Sequence, residues 1–275
     1  MKALISVDIE GISGIVHSSE TNPERYDYQR GRELMTAEAN AVIAGVLDAE
    51  PTADVLVADA HGTFRNLLPE QLDRRARLVR GKPRALNMLA GLDEETDAAL
   101  FVGYHVRAGE GPGVLAHTMN GEILDVRVAG RSLGEIGLNA AMAGHLGVPV
   151  VLLSGDDAAC AEAAALIPEA VTVPVKEALG MAAAVTLHPE EARDRLRRAA
   201  ADAVSRRTEI PSLALTGPVD VEVDLASPHT IDLATLIPGV SRTAGARTVA
   251  FTAPDYGTAY RLILLLAQLA TIRPA

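Results

Sequence analysis

Lys2-Ala3-Leu4-Ile5-Ser6-Val7-Asp8-Ile9-Glu10-Gly11 opens the chain with an aliphatic run that breaks into acid and glycine. A short apolar run bounded by a turn signal reads as a strand buried on both faces. The pattern returns downstream. Residues 54–58 read as a second strand that runs into Asp59-Ala60-His61-Gly62, and residues 98–103 as a third that ends at Gly103-Tyr104-His105. Between strands lie longer Ala-rich stretches, such as 31–49, where Leu34, Ala41, Val42 and Val46 fall near helical spacing. Strands alternating with helices predict a three-layer α/β sheet domain.

Further along, 122–128 reads as a strand closed by the turn Ala129-Gly130, 132–146 as a helix, 148–154 as a buried strand and 157–166 as a helix. After Pro168 the pattern loosens: 171–176 reads as a strand, 180–185 as small and flexible, and 189–207 as a charged surface helix. Pro211, Gly217 and Pro218 make 208–218 the best boundary, dividing a catalytic α/β domain, 1–207, from a smaller C-terminal α+β subdomain, 208–275. That tail reads as strand 219–225, a short helix, strand 247–252 and a terminal helix over 255–272.

Composition narrows the function classes. The 275 residues, 48% hydrophobic and 22% charged, suffice for a sizeable core. With 25 Lys+Arg against 36 Asp+Glu, the net charge of −11 argues against a nucleic-acid partner. Aromatics at 3% with no Trp argue against a stacking groove for bases or sugars. The lone Cys160 excludes an intrachain disulfide and a thiolate metal cluster, and within its Ala-rich helix it reads as packing. Lys2, Lys82 and Lys176 are the only lysines; the remaining positive charge is arginine. No apolar run approaches the roughly 20 residues of a membrane span, and the start meets Asp8 too early for a secretory leader. A cytoplasmic protein without membrane partners is the expectation.

In open α/β sheets ligands bind beyond the carboxyl ends of the strands. Three such ends here offer Asp8, Glu10, His61 and His105, which converge if the strands are neighbours. Taken singly, each has an ordinary reading: Asp8 or Glu10 as a cap, His61 or His105 as a turn or core residue. Taken together they point to a divalent metal, because stacking unpartnered buried carboxylates at one edge is costly. Imidazole with carboxylate at an open site suits zinc. Ser132-Leu133-Gly134-Glu135 has the form of a capping box, so spacing alone favours Glu135 as a helix cap. His117 follows the Gly-rich segment 109–113 and reads either as a catalytic group or as a solvated loop residue. Asp156-Asp157 follows a buried strand and favours N-capping, while facing the same crevice. Gly11-Ile12-Ser13-Gly14 matches neither a P-loop nor a dinucleotide fingerprint. His17, His145, His188 and His229 show no ligand spacing.

The stretch 6–14 resembles the opening of the M55 family of metallo-aminopeptidases, D-aminopeptidases among them. The similarity continues through Gly31-Arg32, residues 35–40, Asp59-Ala60-His61, residues 101–105, residues 116–119, residues 134–139 and Gly155-Asp156-Asp157, and more faintly Val175-Lys176 and the tail. The resemblance implies two zinc ions per chain. Asp8 bridges them, Glu10 and His61 complete one site, His105 and Glu135 complete the other, and His117 is the catalytic histidine. Glu135 thereby changes from cap to ligand. The implied function is a dinuclear zinc aminopeptidase that cleaves short peptides with a free amino terminus, D-amino-acid di- and tripeptides in particular. Asp156 or Asp157 is the candidate partner of the substrate amine. The implied assembly is a homodecamer of two stacked pentameric rings. A phosphoesterase-like two-metal hydrolase and a non-catalytic metal-binding scaffold are the alternatives.

Overall fold

A computed structural model describes residues 1–243, 245 and 247–272. Its main sheet orders seven strands as β3-β2-β1-β4-β7-β8-β9, built from β1 (Lys2–Val7), β2 (Asp54–Asp59), β3 (Arg77–Val79), β4 (Ala98–Tyr104), β7 (Val150–Asp156), β8 (Val171–Gly180) and β9 (Ala183–Thr186). All neighbours run parallel except β9, which returns antiparallel along β8. Alternation splits β1 between two apolar cores: Ala3, Ile5 and Val7 enter one, Leu4 the other. Both faces of the sheet are therefore covered, as the aliphatic sequence demands.

On the first face lie α1 (Tyr28–Ala49) and α4 (Pro189–Ser205), which pack against each other. The helix α4 is more than a charged surface element. Ala192, Leu196, Ala200, Ala203 and Val204 form a buried stripe, while its arginines and glutamates face water. On the second face lie α2 (Glu135–His145) and α3 (Asp157–Leu166). The same core takes in an antiparallel sheet ordered β11-β12-β10-β5-β6 and the helices α5 (Pro228–Ala234) and α6 (Tyr256–Leu269). That sheet is made of β5 (Ile123–Val128), β6 (Arg131–Ser132), β10 (Val219–Leu225), β11 (Ser241–Arg242) and β12 (Thr248–Ala253).

The α/β class and most elements match the reading of the sequence, with two differences. Residues 180–185, read as flexible, hold the last residue of β8 and most of β9: a strand this short carries no decisive period, and it forms by pairing with β8. The short β3 is likewise an edge strand without a pattern of its own. The second sheet joins β5 and β6 to β10, β11 and β12, and residues of β5, β10 and β12 share one core. The stretch 211–218 itself has no regular structure.

Candidate metal centre

The strand order puts β1 between β2 and β4, with β7 beyond, so the carboxyl ends of these strands are neighbours. Asp8 and Glu10 leave β1 in a loop that folds tightly against β4: the Asp8 N–H donates to the Val102 carbonyl and the Gly11 N–H to the Gly103 carbonyl, both at 2.8 Å. Only glycine tolerates this approach. A Cβ on Gly11 would sit 2.1 Å from the Tyr104 carbonyl oxygen, and one on Gly103, at φ +69°, would sit 2.4 Å from that of Asp8. His61 follows β2, His105 follows β4, His117 lies between β4 and β5, and Glu135 is the first residue of α2.

Each imidazole is tethered through one nitrogen to a backbone carbonyl and meets a carboxylate with the other. A carbonyl only accepts, so the tethered nitrogen carries the proton. His61 Nε2 donates to the Thr21 carbonyl (3.0 Å), leaving Nδ1 2.9 Å from Glu10 Oε2 and 3.3 Å from Asp8 Oδ1. His105 Nδ1 donates to the Val106 carbonyl (3.1 Å), leaving Nε2 3.4 Å from Glu135 Oε1 and 3.7 Å from Asp8 Oδ2. His117 Nδ1 donates to the Leu115 carbonyl (2.8 Å), leaving Nε2 3.7 Å from Glu135 Oε1. The rings of His105 and His117 stack 4.0 Å apart.

Asp8, Glu10 and Glu135 are only 2%, 5% and 5% exposed, and among the described residues no lysine or arginine side chain pairs with them. Burial, with Glu10 alongside, pushes the Asp8 carboxyl well above the carboxylate range. Burial alone would lower His105, but the carboxylates of Glu135, Glu10 and Asp8 together outweigh it and raise the ring to about 10. Burial and the neighbouring His105 hold His117 below the ordinary imidazole value. His105 Nε2 is buried without any hydrogen-bond partner. An orphan ring nitrogen aimed at two buried carboxylates is a donor set that fits a divalent cation, and its N and O donors suit zinc. Two groups meet the spacing for a shared ion, each with its ligand atoms within 4.8 Å: Asp8, Glu10 and His105, and His105, His117 and Glu135. His61 joins this set through Glu10 and Asp8.

Several expectations change. No capping box forms at α2: the Ser132 hydroxyl donates to Asp125 (2.9 Å), Gly134 occupies the cap position, and Glu135 Oε1 accepts from the Met119 N–H (2.6 Å) while facing the two histidines. Asp156 is indeed an N-cap, accepting from the Ala159 N–H at 2.8 Å, but its other oxygen takes the Val114 N–H at 2.7 Å. Asp157 accepts from the Ala178 N–H at 2.8 Å. Both are structural carboxylates, and neither lines the cleft. His188 caps α4, and Cys160 is buried, its thiol pushed up to about 12 by burial.

A cavity of about 750 Å³ opens above Asp8, His61, His117 and Glu135. Its far walls come from Lys82 and Arg84, in the segment after β3, and from Leu264, Ala267 and Gln268 of α6. No local pattern in the sequence marks these walls, since tertiary packing alone brings them to the site. Arg84 is committed to the carbonyls of Asn87 (2.7 Å), Val79 (3.2 Å) and Asp59.

Comparison with known proteins agrees with this geometry. The family model for M55 peptidases, described as D-aminopeptidase, matches residues 1–265. A D-aminopeptidase of Bacillus subtilis (strain 168) is 37% identical over 270 residues, 98% of each chain. A solved structure superposes with a TM-score of 0.96 at 36% identity over 100% of both chains. It is the Zn-dependent D-aminopeptidase DppA from Bacillus subtilis, described as a self-compartmentalizing protease. Whole-chain similarity at this identity, together with the strand-end cluster, places the chain in the M55 peptidase family of D-aminopeptidases.

Proposed function

We propose that this chain is a dinuclear zinc aminopeptidase acting in the cytoplasm on short peptides with a free amino terminus, D-amino-acid di- and tripeptides in particular. One observation carries the reading: three carbonyl-tethered imidazoles and three buried carboxylates converge below one open cleft. Asp8 Oδ1 lies 3.3 Å from His61 Nδ1 and its Oδ2 3.7 Å from His105 Nε2, which supports a bridging role. Glu10 and His61 complete one site; His105 and Glu135 complete the other. Two bound zinc ions supply a lowered water pKa and a Lewis acid for the scissile carbonyl. No helix among the described residues is long and apolar enough to cross a membrane.

The protein's own part is orientation and proton handling. His117 Nδ1 is tied to the Leu115 carbonyl, so Nε2 is the atom that can exchange a proton with groups in the cleft. The three backbone tethers hold the rings before substrate arrives, which is the usual duty of outer-shell partners. The whole-chain family match does not favour a phosphoesterase or a storage scaffold. Arg84, which would otherwise suit a phosphate, is spent on backbone carbonyls.

Oligomerisation belongs to the same proposal, as a decamer of two pentameric rings. The B. subtilis relative is described as self-compartmentalizing. Here Leu179, Met181 and Val185 are 64%, 59% and 58% exposed along the β8–β9 hairpin at the sheet edge, an apolar surface that a second copy would cover.

Four outcomes follow. D-Ala dipeptides and tripeptides are cleaved faster than their L counterparts, and p-nitrophenyl phosphate is not; phosphatase activity without peptidase activity reverses the assignment. Elemental analysis of protein purified without chelator gives about two zinc per chain; Asp8→Ala loses both ions and Glu10→Ala chiefly one. His117→Ala keeps its metal and melting temperature while kcat falls by roughly 10² or more, the scale of acid–base assistance, with less change in KM. Metal loss in that variant makes His117 a ligand, as its place beside Glu135 permits. Sedimentation at micromolar concentration shows a large assembly, and a stable monomer rejects the ring.

A further inference from the structure

The loop that carries Glu10 is gripped by a lysine outside the metal centre. Lys176, on β8, is 3% exposed, and its Nζ donates to the carbonyls of Glu10 (2.5 Å), Ile12 (3.0 Å) and Ile15 (2.6 Å). From α1, Glu38, itself 2% exposed, accepts the Ser13 N–H at 2.8 Å, and the Ser13 hydroxyl donates to the Leu187 carbonyl at 2.8 Å. Neither Lys176 nor Glu38 lines the cleft, so neither meets a reacting atom.

Burying an ammonium away from any carboxylate contact is expensive, and an apolar side chain would fill the same space more cheaply. Burial already pulls the Lys176 ammonium down to about 8. What an apolar residue cannot do is gather three carbonyls from one loop onto a single point. Arginine cannot do it either, because its planar fork spreads its donors, whereas an ammonium presents three around one atom. In a chain whose 25 basic residues include only three lysines, this buried position holds one of them.

We infer that Lys176, with Glu38 opposite, is a positioning residue that sets the 10–15 loop in its ligating conformation before any ion binds. The inference rests on the zinc reading above. Asp8 and Glu10 then stand at ligand spacing without the ion having to order the loop, and zinc affinity includes no ordering cost.

Hydrogen exchange on the zinc-free parent chain tests this directly. The Gly11 and Ser13 amides, bonded to Gly103 and Glu38, are protected in the parent and lose protection in Lys176→Met. Zinc titration then gives a dissociation constant raised by about 10- to 100-fold for at least one ion in Lys176→Met, the range for removed outer-shell partners. Lys176→Arg, which keeps the charge, shows a loss in the same direction. Zinc added above the raised constant restores turnover. Unprotected Gly11 and Ser13 amides in the zinc-free parent would overturn the inference without any variant having to fold. So would zinc affinities within twofold of the parent in both variants, whatever their melting temperatures. A parent that binds no zinc would instead refute the metal reading, and the exchange data would still judge the clamp.

Discussion

Three carboxylates buried at the edge of one sheet, with only imidazoles and, among the described residues, no lysine or arginine paired with them, are the constraint on which the rest of this molecule depends. An isolated ionised carboxylate in a medium of dielectric about 4 costs on the order of tens of kcal/mol, so such a cluster cannot simply be left bare. Protons are one way out, and the shifts of Asp8 and His105 describe it: the acid is held protonated-prone and the ring is driven to about 10. Cations are the other way out. The Nε2 of His105 favours the second, because it makes no hydrogen bond yet lies 3.4 Å from Glu135 Oε1 and 3.7 Å from Asp8 Oδ2, where one ion would engage all three atoms.

The fold is arranged around that edge. Parallel order brings four strand ends side by side, and glycines at 11 and 103 let the first of them cross the third at backbone contact. Behind the site, a buried polar chain links Ser6, Tyr104, Asn139 and Tyr260, with contacts of 2.8, 3.2 and 2.6 Å. It ties β1 and β4 to α2 and to α6, so the helix that walls the cleft is fixed to the strands that lead into Asp8 and His105. The carboxyl-terminal segment is thus part of the site's architecture.

How far the sequence could be read depended on how local the signal was. Runs such as 2–7 and 219–225 carry their own strand pattern, and the observed elements coincide with them. Asp8, Glu10, His61 and His105 were legible because strand ends mark the ligand edge of an open sheet. Glu135 was ambiguous for a physical reason. The same residue type three positions after a serine serves a cap or a ligand, and only the third dimension shows Ser132 turned to Asp125. Asp156 and Asp157 misled in the opposite sense, since position at the edge does not reveal that their oxygens are already engaged by backbone amides. The cleft walls and the Lys176 clamp left no periodic trace, being contacts between residues distant in sequence, such as the 166 positions between Lys176 and Glu10.

The central claim is that the buried acid cluster is a two-ion zinc site. Anomalous diffraction above the zinc absorption edge, on crystals grown from chelator-free protein, tests it most directly. The account predicts two peaks per chain, one flanked by Asp8, Glu10 and His61 and the other by Asp8, His105 and Glu135. A single peak shared by His105, His117 and Glu135, or no peak among these residues, would contradict it.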